Sequence, residues 1–174
     1  MQKKTIGRKF EAIHRSRELA VQFLYSLDIY PAQDFEASIE YFFNREDVAK
    51  DDKPEVKQRS RDLIIQVLDR KNEIDGILLR VVTGWTPDRM ASIDRTILRL
   101  MLLEGFLVKN LPVKSAITEA VKLGNDFGTK KSARFINGVM YNIKKFFEKE
   151  NIEADKNNKD ENQNSDAAMI RSEE

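Results

Sequence analysis

The chain has 174 residues, of which 41% are hydrophobic and 34% charged, and its formal net charge is +1. That length can bury a real core as one domain or two small lobes. The absence of cysteine excludes disulfides, a thiol nucleophile and a cysteine-held metal, and seven glycines with four prolines favour long helices over turn-rich sheets.

The charge is unevenly spread. From position 148 to the end there are nine acids against four bases, a net of −5, which leaves +6 on residues 1–147. A basic body with an acidic tail hints at a polyanionic partner. The opening, MQKKTIGRKF, has no apolar stretch of signal-peptide length, so a cytoplasmic protein is expected.

In chain order, the spacing of Ile13, Ala20, Phe23, Leu24 and Leu27 predicts a helix that starts between positions 8 and 14 and ends near Ile29, before Tyr30-Pro31. Asp34 is a candidate N-cap for a short helix carrying Phe35, Ile39, Phe42 and Phe43. A charged stretch then leads to Pro54, which suits the first turn of a helix. The apolar pattern from Val56 to Val82 is long for one helix and is expected to break between Lys71 and Asp75. Gly84 to Asp88 reads as a turn.

Residues 91–109, ASIDRTILRLMLLEGFLVK, are apolar almost all round a 3.6-residue helix and must be covered on several sides. They are too few and too charged to span a bilayer, and read as the central buried helix of an all-α domain. Pro112 opens the next helix, and Gly128 closes it in an expected left-handed conformation. A last helix starts near Lys131 and carries Phe135, Ile136, Val139, Met140 and Ile143. Beyond position 150 the apolar residues are too few to offset the entropy of ordering. The expected division is a helical domain over 1–150 and an acidic disordered tail over 151–174.

No catalytic constellation is present: there is one histidine, no phosphate-cradling glycine loop with a following Lys-Ser or Lys-Thr, and no acidic run with calcium-loop spacing. The reading is of a non-enzyme with no cofactor and no metal. RNA recognition is better provided for, since it needs cations for phosphates and flat side chains for unstacked bases. Arg8, Lys9, His14, Arg15, Arg17 and Tyr25 lie on the first helix or just before it, and Lys130, Lys131 and Arg134 stand beside Phe135 at the start of the last. Arg17 falls near the apolar stripe, so it must pair with an acid, Asp94 or Glu119 being candidates, or emerge between helices.

HRSRELAVQFLYSLDI, IDRTILRLMLLEGF, LPVKSAITEAVKLGNDFG and SARFINGVM stand in that order in the chain. Together they resemble the NusB family of bacterial transcription antitermination factors over about residues 8–147. The resemblance implies a compact helical fold, with two three-helix-bundle lobes around a central buried helix. It also implies binding of single-stranded boxA RNA in ribosomal RNA leader transcripts, together with the ribosomal protein NusE, so that RNA polymerase resists premature termination. An RNA polymerase elongation complex with other Nus factors, and a homodimer, are further partners of that kind; a membrane is not.

Carried over by motif, Arg15, Arg17 and Tyr25 belong to the RNA surface, while Asp94 and Arg95, and Lys131 to Phe135 before the last helix, border RNA or NusE. Two departures stand out. His14 and Ser16 interrupt the arginine-rich start, and Lys130 and Lys131 stand where family members can carry an acid. The alternative reading is a helical protein-interaction or scaffolding module that does not touch RNA.

Overall fold

The computed structural model describes residues 2–82 and 89–170, with side chains described at 7, 9–48, 52–82 and 89–152. Among the described residues there is no strand. The helices are α1 (Gln2–Ile29), α2 (Phe35–Asn44), α3 (Glu46–Asp51), α4 (Pro54–Asp69), α5 (Lys71–Val81), α6 (Ser92–Leu102), α7 (Val113–Phe127) and α8 (Ser132–Ile170), with a π-helical turn over Leu103–Leu107. The expected turn from Gly84 to Asp88 lies outside the described residues.

Local chemistry explains most boundaries. Asp34 caps α2, its Oδ1 accepting from the Ala37 amide at 3.0 Å. Pro54 opens α4, where the N–H it lacks has no helical partner to lose. The apolar run after it breaks at Arg70, between α4 and α5. Helix α1 reaches back to Gln2, well before the expected start, because nothing between there and His14 is a proline and most of the residues are good helix formers. The short α3 was not foreseen; Val48, fully buried, is its one large core residue and cannot by itself make a periodic pattern.

Helix α6 is the hub, packed by α1 and α4 on one side and by α5, α7 and α8 on the others. Ile97, Leu98, Leu100, Met101, Leu102 and Leu103 are fully buried, as a stretch without a polar face requires. Phe23 packs edge-on against Phe35 and Phe42 at centroid distances of 5.9 and 5.3 Å, seating α2 on α1. Helices α7 and α8 lie along each other.

The close of α7 corrects one expectation. Gly128 is not left-handed; its φ is −93° and its ψ −169°. Glycine is needed there for room, since a Cβ would stand 2.4 Å from the Ser132 Cβ and 2.6 Å from the Gly124 carbonyl oxygen. Among the described residues the left-handed one is Lys109, at φ 57°, where the chain leaves the π turn. Helix α8 also continues as helical backbone to Ile170, across the segment expected to be a disordered tail from position 151.

Candidate functional site

The cations singled out on α1 are mostly occupied within the fold. Arg17 is buried at 5% exposure, with Nε 2.5 Å from Glu104 Oε2 and Nη1 3.1 Å from Glu119 Oε1. Glu104 sits in the π turn, is fully buried, and also accepts from Arg59 Nη2 at 2.7 Å. Burial works against the Arg17 charge, but the bond to Glu104 and the nearby Glu119 outweigh it and raise the guanidinium's pKa. The expected partner Glu119 is present and Asp94 is not; Glu104 is the acid that sequence reasoning missed. Its signal was available, as a lone carboxylate in an otherwise apolar stretch.

Arg15 is about one-third exposed. Its Nε and Nη2 grip both oxygens of Asp52 at 2.9 Å, and its Nη1 donates to Glu18 at 3.1 Å. His14 lies among Glu18, Glu119 and Asp126. Lys9 is exposed near Lys53 and Arg59, beside the start of α4. The Arg8 side chain lies outside the described residues. Tyr25 is 39% exposed on the same face of α1 as His14 and Glu18.

Beyond the end of α7, Lys130, Lys131 and Arg134 are exposed and border a depression of about 780 Å³, with Phe135, Val82 and Asn142. Asp94, in the first turn of α6, is buried, and burial pushes its carboxyl up despite a hydrogen bond from Ser132 at the start of α8. Arg95 donates to Asp28 near the end of α1 at 2.9 Å. Arg99 joins Asp28 to Asp75 on α5, and burial, which opposes its charge, is outweighed by those two carboxylates. The start of α6 therefore brings the end of α1, where Tyr25 lies, close to the start of α8, where Lys131 and Arg134 lie. Arg17, Arg15 and His14 lie about 12–16 Å along α1 from Tyr25 at 1.5 Å per residue, and His14 meets Asp126 near the end of α7, four residues before Lys130.

Comparison with known proteins decides the lineage. The sequence model of the NusB family matches residues 14–145. The transcription antitermination protein NusB of Bacillus licheniformis is 35% identical over 129 residues, covering 74% of this chain and 93% of that protein.

The chain belongs to the NusB family.

The NusB of Myxococcus xanthus is 37% identical over 124 residues, covering 71% of this chain and 88% of the relative. Among solved structures, NusB of T. maritima superposes with a TM-score of 0.67 at 25% identity, over 76% of this chain and 89% of that one. A chain from a complex of antitermination factors NusB and NusE with double-stranded RNA gives a TM-score of 0.68 at 20% identity, over 78% and 97%, a likeness of fold. The NusB family is one of antitermination factors rather than of enzymes. No helix among the described residues is long and apolar enough to cross a membrane.

Set against the NusB pattern, three expected surface residues turn inward. Arg17 is spent on Glu104 and Glu119, Asp94 is buried under α8, and Arg95 is tied to Asp28. These side chains hold helices together because each falls where two helices meet. Helical spacing alone cannot distinguish such a junction from open solvent.

Proposed function

We propose that this chain is a cytoplasmic antitermination factor that binds boxA RNA of ribosomal RNA leader transcripts together with NusE. Lys130, Lys131 and Arg134 hold phosphates, Tyr25 and Phe135 offer stacking faces worth about 1–3 kcal/mol per base, and Lys9 and Arg8 extend the basic track. Arg15 contributes the exposed third of its side chain, while Arg17 only braces α1. The observation that carries this reading is membership of the NusB family combined with exposed cations flanking Phe135. Support also comes from the same fold in a NusB–NusE complex with RNA. An elongation complex with other Nus factors is the expected later partner, and a homodimer would cover part of the same face.

The test is filter binding of a boxA-like single strand, with and without NusE, across a range of salt. Each phosphate contact should contribute a slope of roughly −0.7 in log affinity against log salt. The double charge reversal Lys130→Glu with Lys131→Glu is expected to weaken binding and make the slope shallower by about 1.4. Unchanged affinity and slope would remove these lysines from the interface. The engagement of His14, Arg15 and Arg17 by acids favours a second reading, a scaffold that contacts proteins alone; a titration that shows no preference for the boxA-like strand, whether or not NusE is added, supports it.

A further inference from the structure

His14 is the only histidine in the chain, and its two ring nitrogens meet different surroundings. Nδ1 lies 2.5 Å from Glu119 Oε1. An ionised carboxylate can only accept, so that nitrogen carries the hydrogen. Nε2 then faces Glu18 Oε1 at 3.4 Å and Asp126 Oδ2 at 3.3 Å, all three atoms within 4.8 Å of one another. In the neutral ring this directs a lone pair at two acceptors, an arrangement that repels unless something positive stands among them.

We propose that His14 Nε2, Glu18 and Asp126 bind a divalent transition-metal ion of the Zn²⁺ type, joining α1 to the end of α7, with Glu119 positioning the imidazole. A carboxylate on the second ring nitrogen is the usual companion of a ligating histidine, fixing its tautomer and raising its basicity. Ligand atoms about 2.0–2.1 Å from a tetrahedral Zn²⁺ sit roughly 3.3–3.4 Å apart, the separation found here between Nε2 and each carboxylate oxygen. One imidazole and two carboxylates are donors this ion accepts, leaving the fourth position to water. Solvent reaches the group from the side of Asp126, whose side chain is 39% exposed against 13% for His14. Arg15 takes the other oxygen of Glu18, Oε2, at 3.1 Å, which leaves Oε1 directed at the ring.

The test is a calorimetric titration of ZnCl₂ into the full chain, stripped of metal and of any purification tag, in mildly alkaline buffer. It is followed alongside by the nitrogen resonances of the lone imidazole. One equivalent is expected to bind, moving the Nε2 resonance while Nδ1 keeps its proton. Asp126→Asn, made on an exposed side chain, should weaken binding roughly tenfold or more, and Glu119→Gln by about 10–100-fold, with circular dichroism unchanged. The proposal is overturned if no saturable binding occurs. It is also overturned if binding in Asp126→Asn equals that of the parent with the imidazole resonances unmoved, the pattern of an ion held elsewhere on acidic surface or of a proton already bridging these groups.

Discussion

Glu104 illustrates how one side chain decides the roles of several others. Fully buried, it is tolerable only because Arg17 and Arg59 both reach it. Removing the nearer cation by Arg17→Ala should cost about 3 kcal/mol or more, read as a lower urea midpoint, since breaking a buried pair strands the remaining charge. Glu119 yields a prediction in pH. Burial alone would raise its carboxyl, but the bond to His14 and the charge of Arg17 pull it below its ordinary value of 4.5. A carboxyl held lower in the folded chain stabilises the fold above its unfolded value and loses that contribution as pH falls through the folded one. Below about pH 4.5, then, the stability of Glu119→Gln should fall less steeply with acid than that of the parent, measured by denaturant titration at a series of pH values. Asp94 has the opposite sign: burial holds it above 3.8, and its Oδ1 has no partner within the fold. Its contribution diminishes as pH rises from 3.8 through the raised value, so Asp94→Asn should be at least as stable as the parent at neutral pH.

Among the elements, two glycines in helical segments should respond in opposite directions to alanine. At Gly105 in the π turn, a Cβ would stand 2.6 Å from the Ala116 Cβ on α7, so Gly105→Ala must push the two apart and lower the melting temperature. At Gly76 in α5 a Cβ meets nothing within 4 Å, and Gly76→Ala should raise stability by about 0.5–1 kcal/mol. The same contrast marks what could be read in advance. The capped start of α2, the proline start of α4 and the all-round apolar α6 follow from residue order, because their causes are local. The π turn does not, since one wider hydrogen-bonded ring leaves the apolar pattern of residues 91–109 intact. Gly128 was correctly singled out but for the wrong reason: the constraint is the proximity of Ser132, not a rare backbone angle. Arg15, Arg17 and Arg95 look alike in sequence and differ only in which acids the fold brings to them.

For the molecule as a whole, the charge imbalance is the property that acts at a distance. Residues 1–147 carry +6, and the remainder brings the total down to +1. A net −5 on the same chain repels the polyanion that the body attracts. Deleting residues 151–174 should therefore tighten RNA binding, with the difference shrinking as salt rises, in the filter assay described above; equal affinity at low salt would show the tail to be electrostatically idle.

Helices α1 and α6 run antiparallel and are clasped at both ends, by Glu104 with Arg17 and by Asp28 with Arg95 and Arg99. The clasps stand about 16 Å apart along α1. A slip of one helix past the other by a single turn, about 5.4 Å, would have to open both at once. The pair thus behaves as a ruler rather than a spring: the two helices keep one register, and the side chains they carry stay at fixed separations along it.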